Sequence, residues 1–221
     1  ILEHLARVLE EAESSLDLSV KAQVYLTAEG MRQIVEFDEV WKEYFPKRQP
    51  ARCIAPAEWL AAKGCQVLIN LVAVTKDGGI KPQVVKAKGV PKWPLNEPHA
   101  VKAGNLLFLS TGIATDSKGV FPRECRTNPF YPWYEKKIRK QMNFILENAE
   151  KIVKAAGGSG YENIIRRQAF HSDFDEFILG FETWREKFPY HPPASTTIED
   201  SKVPLPVSGA TLVLDLWAYI P

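Results

Sequence analysis

The chain has 221 residues, 45% of them hydrophobic and 25% charged, with a formal net charge of +1. A balance this near neutral argues against the basic footprint that nucleic acid or an anionic membrane attracts, and the composition is that of a globular protein. Three widely spaced cysteines, Cys53, Cys65 and Cys125, argue against a disulfide framework or a zinc site and favour a reducing compartment, so a cytoplasmic location is expected.

Leu2, Leu5, Val8, Leu9 and Ala12 recur at helical spacing and predict a first helix over 1–12. This acidic, amphipathic start lacks the order of a signal peptide, and because it begins with Ile a longer natural chain is expected upstream. A β-like run follows at 20–26, then a second helix with Met31, Ile34, Val35, Trp41 and Phe45 on one face. After "PKRQPARC" (46–53) comes a strand over 66–74, whose apolar run is far too short to span a bilayer. "TKDGGIKPQ" (75–83) reads as a linker.

Beyond it, "QVVKAK" (83–88) predicts a strand and "HAVKAGNLLFLSTGIAT" (99–115) a hairpin turning at "KAGN", with "DSKG" (116–119) a second turn. "KKIRK" (136–140) reads as a solvated helix start. Ile145, Ala149, Ile152, Val153 and Ala156 predict a helix over 145–156, which "GGSG" (157–160) caps; these glycines follow a helix, so they do not read as a phosphate loop. A β-like run at 163–170 precedes a helix with Phe174, Phe177, Ile178, Phe181, Trp184 and Phe188 on one face. After "PYHPPAST" (189–196), the strand 211–219 alternates Leu212, Leu214 and Leu216 against Val213, Asp215 and Trp217, which predicts one well-buried face. The six tryptophans are expected mostly in the core, and the four histidines show no metal-ligand spacing.

Shifted by about 144 residues, the chain falls on itself. "ILEHLARVLEEA" meets "ILENAEKIVKAA", "VKAQVYLT" meets "IRRQAFHS", "FDEVWKEYFP" meets "GFETWREKFP", and "VLINLVAV" meets "LVLDLWAY". Pro50-Ala51 meets Pro193-Ala194, and the next residue is Arg52 in one copy and Ser195 in the other. The collinear order predicts a duplication, with 1–78 as a unit lacking its N-terminal hairpin and 79–221 as a complete unit. The front of the first unit would otherwise be an uncovered sheet, so another segment is expected to cover it.

"AVKAGNLLFLSTGI" (100–113), "NAEKIVKAAGGSGYENIIRRQAF" (148–170) and the twice-repeated tryptophan helix followed by Pro-Ala resemble the RidA/YjgF family of imine deaminases. The resemblance implies an α+β fold of two tandem chorismate-mutase-like units, each a mixed β-sheet with two helices packed on one face. It also implies a homotrimer with clefts between units, no metal or cofactor, and hydrolysis of a carboxylate-bearing imine or enamine to a 2-oxo acid and ammonia. The expected partner is a small carboxylate or imine ligand, with neither nucleic acid nor membrane. A non-catalytic binding or assembly module, such as the C-terminal part of a diphthine–ammonia ligase-like protein, is the alternative.

The resemblance also assigns the substrate-binding residues. Arg52 would grip the substrate carboxylate, since a guanidinium presents parallel donors to two oxygens; by itself it is equally an ion-pairing arginine after a proline turn. Asp38 stands where active members carry Asn, with Phe181 in its place in the second copy. Cys53 follows Arg52 directly, one step early for the family cysteine, and is expected to be a half-buried filler. Ser195 carries no charge, so the second site is expected to be weak. Ser110, Thr111 and Gly112 match the strand end that lines the cleft, or are simply a strand end; Ser110 is expected to face Arg52 across units. The acid of the last strand is replaced by Leu68 and Val213, with Asn70 and Asp215 two residues on as possible substitutes.

Overall fold

The computed structural model describes residues 1–134, 136–200 and 202–221. Its first part contains helices α1 (Leu2–Glu11), α2 (Ala28–Arg32) and α3 (Ile34–Tyr44), and strands β1 (Ser19–Leu26), β2 (Ala51–Pro56) and β3 (Val67–Ala73). These strands form a sheet in the order β2-β1-β3, with β2 parallel and β3 antiparallel to β1. The second part adds β4 (Gln83–Val85), β5 (Ala100–Ala103), β6 (Leu106–Leu109), β7 (Gly112–Ile113), β8 (Ile164–His171), β9 (Ala194–Glu199) and β10 (Leu212–Tyr219), with helices α4 (Lys137–Ala155) and α5 (Phe177–Lys187). Its sheet runs β4-β5-β6-β10-β8-β9, and β7 also pairs with β10. The fold is α+β with mixed sheets.

The segment β9-β8-β10 repeats the wiring of β2-β1-β3, one parallel and one antiparallel pair about a central strand. Tryptophans one helix turn from a phenylalanine pin α3 and α5 alike: Trp41 lies 4.4 Å from Phe45, and Trp184 4.1 Å from Phe188, between ring centres. The "GGSG" cap forms as expected. Gly157 has φ 96°, and the N–H of Gly158 donates to Val153 O at 3.0 Å.

Three local expectations are corrected. The Pro-Ala frame opens a strand in both copies; the proline stands just before it, where its missing N–H costs no ladder bond. The helix expected over Met31–Phe45 breaks at Gln33 into α2 and α3. Helix α4 starts at Lys137, because Ile138, Gln141 and Met142 already bury its first turns. The tryptophans lie mostly in the core as expected: Trp41, Trp93 and Trp184 are buried and Trp217 packs half-buried on the inter-sheet seam, while Trp59 and Trp133 are exposed.

The three-stranded sheet is covered from beyond the linker. Trp93, Leu95, Phe121, Val203, Leu205 and Val207 join Trp41, Phe45 and Ile54 in one core. Its other side meets the larger sheet, where Val20 and Ala51 pack with Val101, Ala103 and Phe108. Strand β10 consequently buries both faces rather than one. On that seam, Lys21 Nζ lies 2.7 Å from Asp215 Oδ1, both side chains fully buried, and also donates to Leu109 O at 2.5 Å. Gln23 Nε2 and Arg166 Nη1 donate to Asp215 Oδ2 at 2.7 and 3.1 Å. Burial pushes the Asp215 pKa up, but Lys21, Gln23 and Arg166 outweigh it and hold the carboxylate below its usual range.

Candidate functional site

The site forms where β2 meets the β6–β7 junction. Strand β2 is an edge of its sheet, so its outward backbone groups need partners that no strand supplies. Two hydroxyls take that role. Arg52 N donates to Ser110 Oγ at 3.2 Å, and Ile54 N donates to Thr111 Oγ1 at 3.2 Å. Thr111 Oγ1 in turn lies 3.1 Å from Arg52 O, as donor. The structure thus brings Arg52, Ser110 and Thr111 together across the two sheets. Gly112 follows because β7 runs close against β10: a Cβ there would sit 2.8 Å from Leu214 O.

The Arg52 side chain is fully buried, 5.0 Å from the Trp41 ring centre, and held by two carboxylates. Nη2 donates to Asp38 Oδ1 at 2.5 Å and Nε to Glu97 Oε2 at 3.4 Å, while Nη1 has no partner among the described residues. Asp38 is fixed by Asn96, whose Nδ2 donates to Oδ2 at 2.6 Å and whose backbone N lies 3.1 Å from both oxygens. Arg52 is thus an ion-paired arginine in this structure, the second of the two roles the sequence allowed it. Where a neutral Asn would leave the guanidinium free, the charge of Asp38 occupies it.

Glu97 also lines a cleft with His99, Ser110, Thr111, Gly112 and Asn148 of α4, while Arg52 and Asp38 lie behind it. Burial raises the Glu97 carboxyl to about 7, more than Arg52, Lys21 and Thr111 lower it. His99 Nδ1 accepts from Ala87 N at 3.0 Å, which places the ring proton on Nε2, where the Pro91 carbonyl draws it. Burial, with Lys92 and Lys86 nearby, lowers its pKa and keeps the ring neutral. The cleft thus offers a weakly acidic carboxyl, a neutral imidazole and two hydroxyls around one space.

Cys53 faces the inter-sheet seam and is 2% exposed, so it is fully rather than half buried. Burial, then the Asp215 charge, push its thiol well above the ordinary value, which leaves it no nucleophile. Ser195 is exposed on β9, outside the cleft. Asp215 is bound to Lys21 in the seam and Asn70 is exposed on β3, so neither replaces the last-strand acid. Glu97, Asn96 and His99 escaped the sequence reading. They sit in "WPLNEPHA" (93–100), a proline-broken loop without periodicity, and its polar cluster directly before a strand was the only signal. Among the described residues no group of three or more His, Cys, Asp or Glu side chains could hold a metal ion, and no helix is long and apolar enough to cross a membrane.

Comparison with known proteins gives a consistent likeness. The family model described as endoribonuclease L-PSP matches residues 1–75. A RutC family protein of Sulfurisphaera tokodaii is 32% identical over 106 residues, which span 48% of this chain and 75% of that protein. The chloroplastic Reactive Intermediate Deaminase A of Arabidopsis thaliana is 28% identical over 126 residues, 57% of this chain and 61% of that protein. Among solved structures, yeast Mmf1 is similar with a TM-score of 0.50 at 19% identity, covering 64% of this chain and 100% of that one, a likeness of fold.

Proposed function

Because this chain belongs to the endoribonuclease L-PSP (RidA/YjgF) family, we propose that it hydrolyses a carboxylate-bearing imine or enamine to a 2-oxo acid and ammonia in the Glu97 cleft. The observation that carries the proposal is the Glu97 carboxyl, buried beside Arg52 and raised to about 7, so that near neutral pH it is poised to give and take a proton.

Protonation of Glu97 removes one of the two charges on Arg52, whose buried guanidinium, behind Glu97, then attracts the substrate carboxylate into the cleft. An enamine substrate enters as its imine tautomer. Glu97 protonates the imine nitrogen as water adds to the carbon, and the resulting Glu97 carboxylate takes the water's second proton. The product is a carbinolamine bearing one hydroxyl and one amino group. Glu97 then protonates the amino nitrogen, the C–N bond breaks to release ammonia, and the hydroxyl proton returns to Glu97 as the carbonyl forms. The Ser110 hydroxyl accepts from Arg52 N and keeps its own proton uncommitted, so it is the donor we assign to the oxygen that develops. Imine hydrolysis is intrinsically fast, so positioning and one proton relay suffice.

We also read residues 1–78 and 79–221 as two tandem family units, the cleft lined by the second and backed by strand β2 of the first, in an oligomer that covers the exposed edge strand β9. The free cysteines fit a reducing compartment such as the cytoplasm.

Coupled assay of ammonia release from freshly generated 2-aminoacrylate, and from a panel of carboxylated enamines, tests the reaction. Wild type should accelerate release, and Arg52→Ala and Glu97→Gln, checked for folding by circular dichroism, should each lose 100-fold or more, on the order expected for a general acid–base group. Carboxylate binding without turnover would instead make Glu97 a holder of Arg52 alone.

A further inference from the structure

Arg52 has a counterpart that the repeat alignment hides. On that alignment Arg52 meets Ser195, and Ala22 meets Arg167. In the structure Arg52 is the cross-strand partner of Ala22, and Arg167 is the cross-strand partner of Ser195. The arginine has changed strand but kept its place. Its guanidinium lies 5.0 Å from the Trp41 ring centre in the first part and 4.6 Å from that of Trp184 in the second.

Its surroundings differ in charge. Phe181 replaces Asp38, and Gly180 replaces Phe37. Arg167 is 1% exposed, and Nη2 donates to Thr197 Oγ1 at 3.0 Å. Nε and Nη1 have no partner among the described residues, and no described carboxylate forms an ion pair with the group. Both nitrogens of the neighbouring His171 are likewise without a partner there. A buried cation with neither counter-ion nor full hydrogen bonding is costly, and an anion that supplies both relieves that cost.

We propose that Arg167 anchors a second carboxylate-binding site, separate from the Glu97 cleft, for a small carboxylate with an apolar tail. The Ser195 hydroxyl, exposed at the cross-strand position, adds a donor. Phe174 and Phe181, 40% and 41% exposed, give the tail an apolar rim. With Phe181 in place of Asp38 and no ion-paired acid beside the guanidinium, the site binds without hydrolysing.

The test is titration of the full chain with phenylacetate, with phenylacetamide as the uncharged control, read by the Nε–H resonance of Arg167 and by thermal stability. That resonance is assigned by its loss in Arg167→Lys. The expected result is a saturable shift of the Arg167 resonance with phenylacetate alone, at least about tenfold weaker binding at this site in Arg167→Met, and loss of the response in Phe181→Asp, which supplies an internal carboxylate. Glu97→Gln should leave the Arg167 response in place. An Arg167 resonance that phenylacetate does not move would overturn the proposal whether or not the variants fold. So would an Arg167-dependent stability that rises with protein concentration in the absence of phenylacetate, because the carboxylate would then come from another chain.

Discussion

Glu97 and His171 are buried groups whose titrations act on stability in opposite directions. Burial raises the Glu97 carboxyl from its ordinary 4.5 to about 7, so the folded chain holds a proton that the unfolded chain releases. Stability therefore falls as pH rises from about 4.5 to about 7, by roughly 3 kcal/mol in all. Burial, and then the Arg167 charge, lower His171 from 6.5 to about 4, so the unfolded chain binds the proton that the folded one refuses. Its contribution rises with pH between about 4 and 6.5, against that of Glu97. Urea midpoints should thus climb with pH across this window in Glu97→Gln and fall across it in His171→Phe. A Glu97→Gln profile that matches wild type would show that Glu97 ionises normally. At this scale the sequence marked Arg52, Ser110 and Thr111 through resemblance, but not the carboxyl beside them. Glu97 gains its character from burial, strong enough to outweigh the pull of Arg52, and sequence spacing does not encode burial.

Strand β7 is held against β10 by a glycine. At Gly112 an added Cβ would meet Leu214 O at 2.8 Å, Ile145 Cγ2 at 3.1 Å and Leu214 Cβ at 3.2 Å. Gly112→Ala should destabilise by about 1–3 kcal/mol through overpacking, and should weaken ligand binding because Gly112 lines the cleft. Unchanged urea midpoints would mean that β7 moves freely away from β10. Strands β1, β8 and β10 and the amphipathic helices were legible from their periods. Strand β2 was not: all six of its residues are buried, so it shows no alternation, and its proline-led start reads as a turn. Strand β9 shares that start, and its polar, exposed residues carry no apolar alternation.

The two sheets are joined by a buried charge pair and by a shared core. Lys21→Met would leave Asp215 buried with only Gln23 and Arg166, and should cost about 3–5 kcal/mol, most of it recovered in the double variant Lys21→Met/Asp215→Leu. A fragment of residues 1–78 lacks Trp93, Leu95, Phe121 and Val203, which close its core, and should show no cooperative thermal transition by circular dichroism. A sharp transition would make it an independent unit. The repeat in the sequence announced two similar halves. It did not reveal that residues 93–121 and 203–207 cover the core of the three-stranded sheet, because those contacts come from loops outside the repeated segments. The Glu97 cleft is the centre of the account, and the pH dependence of single-turnover ammonia release from 2-aminoacrylate tests it most directly. The account predicts a rate that falls as pH rises through about 7, the value of the Glu97 carboxyl, with that inflection absent in Glu97→Gln. A rate that is flat through this range, or an inflection that survives in Glu97→Gln, would contradict it.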